Sequence, residues 1–571
     1  MQRFKFKIVS SMEKVFPAKE PSVEGAGEKL SALKGETVSF QIAYYWGGER
    51  KQRGSVRVDA PEGVGVRVRT VGLVPCAYPC HLEKDEGYLV TEPGLYPDLL
   101  TDVTEFGFPI ISGQWRSLWI DLEINKEAKP GEYPVKVTLE SLMKGENFPM
   151  SECTPASEEV SAPESMLMVE SAEVSLEILG AELPELSIPH TEWFHCDCLA
   201  NYYNVEVFSE EHWQIVENFV GHAVKRGCNM ILTPIFTPPL DTAVGGERRT
   251  VQLVDITVTD SGYEFSYEKF ERWAAMCQRC GVKFFEISHL FSQWGAKSTP
   301  KIVGLVDGKE QKIFGWETKS DSEEYAEFLR AFLASFTKEL EKLGIAEQCY
   351  FHISDEPMLE HLESYRTAKN IVKDQLEGYH MMDALSDYRF FEKGVVDEPV
   401  CANDHIEPFL ENRPEKLWTY YCTGQFLDVS NRFIAQPGFR TRILGTQLYK
   451  FRIDGFLHWG YNFYNSEFSL YPINPYECTD ADGAFPSGDP FLVYPGKDGQ
   501  PEDSMRCMLM DEAMADLRAM KYLETLTDRE TVMACLGEEE NGEITFKKYP
   551  QSISYLTQVR KKVNAAIKAN I

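Results

Sequence analysis

"SEEHWQIVENFVGHAVKRGCNMILTPI", residues 209–235, sets the rhythm of the chain beyond about residue 190. It pairs an amphipathic helical stretch with a short apolar strand, "CNMILTPI", and that pairing recurs. Working outward, the strands "TEWFHCD", "CNMILTPI", "VKFFEIS", "QCYFHIS", "GYHMMDA", "EPVCAND", "KLWTYYC" and "DGFLHWG" alternate with helical stretches such as "SYEKFERWAAMCQRCG", "DSEEYAEFLRAFLASFTKELEKLG" and "MLEHLESYRTAKNIVKDQL". Eight βα units predict a (β/α)8 TIM barrel over residues 188–530, closed by "EDSMRCMLMDEAMADLRAMKYLETL". The weakest unit lies between the fifth and sixth strands, where "LSDYRFFEKGVVD" makes a poor helix.

The pattern before this is different. "RFKFKIVSS", "ETVSFQIAYYW", "GSVRVDAP", "GVGVRVRTVGLVP", "SLWIDLEI" and "GEYPVKVTLESL" alternate at strand period between Gly, Pro and Asp turns. About seven strands with no helix predict an N-terminal antiparallel β-sandwich over residues 1–187. Within it, "GENFPMSECTPASEEVSAPES", residues 145–165, is rich in Ser, Glu and Pro and is expected to be a mobile loop. Residues 531–571 form a C-terminal helical tail, with "SISYLTQVRKKVNAAIKA" packed on the barrel.

A chain of 571 residues with 43% hydrophobic residues has ample material for a large core. Its 89 acidic and 58 basic residues give a net charge of −31, which repels phosphate backbones and anionic lipid. Nucleic acid and membrane are therefore excluded as partners. The N-terminus lacks a secretory h-region and no apolar run is long enough to span a bilayer, so a cytoplasmic protein is expected. The 14 cysteines are expected to be reduced core thiols. Cys277/Cys280 in "AMCQRCG" and Cys196/Cys198 in "HCDC" lack a second pair at zinc spacing, so neither metal nor cofactor is expected.

One strand tip carries chemistry. "QCYFHISDEP", residues 348–357, ends the fourth barrel strand on Asp355 and Glu356, at the face where barrel enzymes place catalytic groups. Neighbouring strand residues point in opposite directions, so both acids reach one pocket only if the strand breaks there, and Pro357 helps to break it. Asp-Glu-Pro also suits a helix start, where acids favour the N-terminal dipole, and that reading stands beside the catalytic one. Paired carboxylates suit glycosidic cleavage, but adjacent acids lie too close to flank a sugar from opposite faces. Substrate-assisted catalysis removes the difficulty. The substrate's 2-acetamido oxygen attacks its own anomeric carbon, Glu356 serves as general acid and then base, and Asp355 orients the acetamido nitrogen. Candidate sugar contacts at other strand ends are His195, Asp197, His289, Asp383, Tyr420 and, in "HWGYNFY", Trp459, Tyr461 and Asn462. Tyr464 and Tyr421 are weighed with them, and packing of the barrel mouth is the competing explanation for each of these residues.

"TEWFHCDCLANYYN", "CNMILTPIFTPPLDT", "FHISDEP", "DGFLHWGYNFY" and "GDPFLVYPG" together resemble glycoside hydrolase family 123 and its wider relatives, the domain of unknown function 4091 group. The resemblance spans nearly the whole chain. It implies a retaining, exo-acting β-N-acetylgalactosaminidase with the Asp-Glu pair at Asp355 and Glu356, acting on an oligosaccharide or glycoconjugate, with a homo-oligomer allowed. Two alternatives stay open. One is a glycosidase for a sugar without a 2-acetamido group, in which Asp383 or Asp197 would supply the second carboxylate. The other is a non-catalytic carbohydrate-binding protein, which would keep the aromatics but need not keep both acids.

Overall fold

The computed structural model describes residues 4–26, 29–48, 52–142 and 169–571. The segment 145–165, expected as a loop, lies outside the described residues.

Among the described residues, ten N-terminal strands form two five-stranded sheets. One runs in the spatial order Phe4–Ser10, Thr37–Trp46, Trp115–Ile124, Val64–Cys76, Gly94–Asp102, with every pair antiparallel. The other runs Lys29–Lys34, Val169–Glu182, Gly131–Leu142, Gln52–Asp59, Phe108–Ile110, and its one parallel pair joins the first two strands. Ile42, Leu118, Ile120 and Leu122 of the first sheet share an apolar core with Val135, Val137, Val174 and Leu176 of the second. Strands such as "KLSALK" and "GLYPDLLTD", absent from the expected set, are short or polar and show little alternation.

"WRSLWIDLEI", residues 115–124, is buried on both faces. Its period of two sends Leu118, Ile120 and Leu122 into the core between the sheets, while Trp119 joins the cluster of the C-terminal part. Asp121 beside it accepts hydrogen bonds from Trp119 Nε1 (2.6 Å) and Ser39 Oγ (2.8 Å) and pairs with Arg69 (2.5 Å). One sheet therefore has a second, partly ionic face turned to the barrel.

That barrel is closed and has eight parallel strands: His190–Glu192, Met230–Thr233, Phe284–Ile287, Cys349–Phe351, His380–Leu385, Glu398–Ala402, Trp418–Tyr420 and Gly455–His458. Each overlaps one of the eight apolar runs in the sequence, the first starting one residue before its run at His190 and the fifth ending one residue after its run at Leu385. Helices intervene as the capping residues dictate: Ser209, Ser322 and Ser504 accept from the third backbone N–H beyond them, and Gly281 and Gly344 end their helices in the left-handed region. Between the fifth and sixth strands only Arg389–Glu392 is helical. This architecture is compatible with the expected (β/α)8 barrel. A four-stranded sheet, Asp255–Thr259, Gly262–Ser266, Ile302–Val306 and Lys309–Phe314, grows from the loops after the second and third strands.

The helix Ile553–Ala569 touches the barrel helices Gly438–Lys450 and Met505–Leu526 and also the sheet strands Lys29–Lys34 and Val169–Glu182. Its Arg560 pairs with Glu36 (2.6 Å) and Asp516 (2.9 Å), so the tail ties both parts together. Asp503 makes a second tie. It is buried and accepts from His222 (2.9 Å) of helix Glu210–Lys225, from Arg226 (2.8 Å) that caps the end of that helix, and from Arg69 of the sheet. Replacing Asp503 by alanine leaves buried Arg69 with Asp121 alone and buried Arg226 with only Asp511 at 3.4 Å, and is expected to cost about 3–5 kcal/mol in urea denaturation. Removing the exposed pair Lys29–Glu132 should cost under about 1 kcal/mol.

Candidate active site

The fourth barrel strand ends at Phe351, and the chain then leaves strand geometry. Glu356 has φ +41°, a left-handed conformation unusual for a residue with a Cβ. The break that brings two neighbouring acids to one side thus lies at Glu356 itself, before Pro357. Asp355 and Glu356 line the same cavity of about 180 Å³, together with Trp193, Trp294, Tyr420 and Trp459. The Tyr420 hydroxyl donates to Glu356 Oε1 at 2.6 Å.

Aromatic and aliphatic walls set the electrostatics. Burial, and then the adjacent Glu356 carboxylate, push Asp355 well above the usual carboxylate range. Burial also raises Glu356, with the Tyr420 hydroxyl opposing. The two acids therefore titrate as one unit.

Beneath the pair lies a buried ionic network. His352 bridges Glu286 (2.7 Å) and Asp383 (3.0 Å) through its two ring nitrogens. Glu286 also accepts from Trp193 Nε1 (2.6 Å), and Asp383 from the Tyr365 hydroxyl and the backbone of Ile353. Burial disfavours a charged imidazole, yet the hydrogen bonds to Asp383 and Glu286 outweigh it and raise His352 to about 10. Its ordinary value is 6.5, so its contribution to stability is complete below that pH and is lost as the pH rises through about 10. Thermal unfolding of the native protein should accordingly lose stability between pH 7 and 10, and His352→Gln should flatten that slope.

His289 stacks on His352 with centroids 4.2 Å apart and planes 17° from parallel. Both of its nitrogens are buried without a hydrogen-bond partner among the described residues, and burial followed by the His352 charge pushes it well below the usual imidazole range. Among the described residues, His289, His352 and Asp383 bring possible metal-ligand atoms within 4.8 Å of one another. Stacked rings hold their lone pairs in nearly parallel planes, however, and His352 already serves two carboxylates. The cluster suits an ion network better than a coordination sphere.

The other expected contacts divide. Tyr420 and Trp459 line the cavity. Trp459 Nε1 donates to Asp489 at 3.0 Å, which fixes the ring. His195 and Asp197 do not reach the cavity: the first strand stops at Glu192 and a helix begins at Cys196, so the expected strand end was drawn too far along. His195 bonds to the Trp459 carbonyl (3.0 Å) and Arg248 (3.0 Å), and Asp197 holds Arg248 at 2.6 and 2.8 Å. Asn462 exchanges two hydrogen bonds with the His195 backbone. Tyr461 bonds to His222 (2.9 Å) in the core, and the Tyr464 hydroxyl donates to the Val493 carbonyl. His289 and Asp383 lie in the network, and Tyr421 packs against Phe456 and His458.

Sequence reasoning missed Trp193, Leu240, Asp241, Gln293, Trp294 and Phe485 in the cavity wall. Trp193 was legible as the first residue beyond its strand, and the others lie in loops. Those loops share a feature: Asp241, Trp294, Phe468 and Ser469 all have positive φ, as Glu356 does. They are cross-tied, because Asp241 N donates to Gln293 Oε1 (2.7 Å), Ser469 Oγ to the Asp241 carbonyl (2.7 Å), and Trp294 N to the Asp355 carbonyl (2.9 Å). Strain of this kind persists only where the surroundings impose it. Gly295 next to Trp294 is obligatory, since a Cβ there would lie 2.5 Å from the His361 ring.

Residues 193–523, from the end of the first barrel strand into the helix Met505–Leu526, match the family description "Glycoside hydrolase 123, catalytic domain". The chain belongs to the glycoside hydrolase 123 family. A family 123 glycoside hydrolase from Clostridium perfringens, described for glycolipid glycan hydrolysis, is similar over 99% of this chain and 98% of its own, at 15% identity and a TM-score of 0.73. That likeness shows a shared fold for the paired sheets and barrel together. A family 5 glycoside hydrolase from Prevotella bryantii aligns with 52% of this chain and 86% of its own at 10% identity, with a TM-score of 0.24, and carries no argument. No curated protein matches. As a glycoside hydrolase 123 member the chain is an enzyme acting on carbohydrate, and among its described residues no helix is long and apolar enough to cross a membrane.

Proposed function

We propose that this family member is a retaining, exo-acting β-N-acetylgalactosaminidase that uses the substrate's 2-acetamido group as nucleophile. The observation that carries the reading is the adjacency of Asp355 and Glu356 on one lip of one cavity, with the turn at Glu356. Acids so placed suit one task each on the same side of a sugar: Glu356 protonates the leaving oxygen, then activates water, while Asp355 accepts from the acetamido N–H. The cavity's 180 Å³ lies below the ~300–1,000 Å³ of drug-sized sites and suits a single terminal sugar.

The resting pair sets one difficulty, because burial and then the Glu356 carboxylate favour the protonated form of Asp355, which has to act as an anion. A coupled pair holds its proton jointly, though, and a hydrogen bond donated to a carboxylate favours its charged form. A bound acetamido N–H, with the charged His352 beneath, would therefore draw the negative charge to Asp355 and leave the proton on Glu356. The glycosidase reading without a 2-acetamido group loses support, since Asp197 is held by Arg248 and Asp383 by His352, Tyr365 and backbone. We retain residues 1–187, 188–530 and 531–571 as the proposed domain division.

A panel of aryl β-glycosides tests the function. Hydrolysis of the N-acetylgalactosaminide above the N-acetylglucosaminide, with neither unacetylated counterpart cleaved, is the expected result. Preference for an unacetylated glycoside would overturn it.

A further inference from the structure

Asp241 stands apart from the other acids near the cavity. It lines the same cavity as Asp355 and Glu356 but belongs to the loop after the second barrel strand. Its φ of +39° is one that an aspartate adopts only at a cost, and both neighbouring loops hold it there. Gln293 Oε1 accepts from its N–H, the Gln293 amide reaches the Thr242 carbonyl (3.4 Å), and Ala243 N donates to the Phe468 carbonyl (3.0 Å). Its Oδ2 is buried with no hydrogen-bond partner among the described residues. Arg248, the cation that acts on it, is already held by Asp197. Burial raises the Asp241 carboxyl to about 6, with Arg248 and the Phe468 backbone N–H opposing. Asp241 thus lines the aromatic-walled cavity with a strained backbone and with one carboxyl oxygen that no group of the described residues satisfies, and neither feature stabilises the chain itself.

We propose that Asp241 is a specificity-determining residue that accepts hydrogen bonds from ring hydroxyls of the bound sugar. A carboxylate facing an aromatic-walled sugar cavity offers acceptors for hydroxyls at C3, C4 or C6, away from the anomeric carbon that the Asp355–Glu356 pair serves. This deepens the proposed function and rests on it for the identity of the sugar, though not for the presence of one.

The test uses Asp241→Gly and Asp241→Asn. Glycine relieves the positive φ and asparagine tolerates it, so both variants should melt at or above the native temperature. Initial rates are measured with 4-nitrophenyl N-acetyl-β-galactosaminide and its 3-, 4- and 6-deoxy analogues. The native enzyme should disfavour at least one deoxy analogue by roughly 10- to 100-fold, the worth of a hydrogen bond to a charged group. Asp241→Gly should show a raised KM on the parent and a penalty for that analogue at least roughly 10-fold smaller. An unchanged deoxy penalty overturns the proposal, as does a loss confined to kcat, which would make Asp241 part of the chemistry. Should the parent not be cleaved, the proposed function fails, and ligand-observed NMR with N-acetylgalactosamine, N-acetylglucosamine, galactose and glucose decides for Asp241. Binding by the native protein that Asp241→Gly abolishes supports the role. Equal binding by both, or none by the native protein, overturns it.

Discussion

Glu356→Gln is expected to lower kcat/KM on substrates with poor leaving groups by at least ~10²-fold, the usual worth of a positioned acid. An alkoxide leaving group needs a proton as the glycosidic bond breaks, and glutamine has none to give. An activated leaving group such as dinitrophenolate departs without full protonation, so its loss should be much smaller. The substitution keeps the shape of the site, since the Tyr420 hydroxyl that donates to Glu356 Oε1 can donate equally to a glutamine carbonyl. It also removes a buried acid raised by its surroundings, so the melting temperature should not fall. Comparing the two leaving-group classes separates chemistry from damage. A misfolded or distorted site would lose both alike, and equal losses would count against Glu356 as the acid.

How far the sequence exposed this site follows from the physics of each part. Barrel strands announce themselves because they are buried on both faces, so each of the eight survives as an apolar run between helices. The Asp-Glu pair was legible because two adjacent acids at the end of such a run conflict with burial unless a site lies there. Loops carry no such periodicity. Trp294 and Asp241 enter the cavity through positive φ values held by hydrogen bonds from other loops, and nothing in "SQWGAK" or "PPLDT" announces that conformation. His195 and Asp197 erred for a related reason. Polar residues after an apolar run look alike whether they face a pocket or cap a helix, and here the helix at Cys196 claimed them. The His352 network was hidden too, because "FHIS" places one histidine in an apolar run, while Glu286 and Asp383, which charge it, come from two other strands.

The sharpest test of mechanism lies with Asp355. If the acetamido oxygen is the nucleophile, the reaction passes through a bicyclic oxazolinium-like species, and a thiazoline derived from N-acetylgalactosamine mimics it. Enzymes bind such species ~10²- to 10⁸-fold more tightly than substrate, so inhibition far below KM is expected. Asp355→Asn should weaken both turnover and thiazoline inhibition, because the ring nitrogen would lose its charge-assisted contact with the carboxylate. The loss should match on the two readouts, at roughly 1.5–3 kcal/mol or about 10- to 150-fold each, since one contact serves the inhibitor and the transition state alike. Removing a carboxyl that burial and its neighbour disfavour should at the same time leave the fold as stable as before or more so. An Asp355 that merely capped the chain beyond Pro357 would behave in the opposite way. Its replacement would cost the ~1 kcal/mol of stability typical of a lost cap, lowering the melting temperature, and leave the thiazoline untouched, and that outcome would remove substrate assistance from this site.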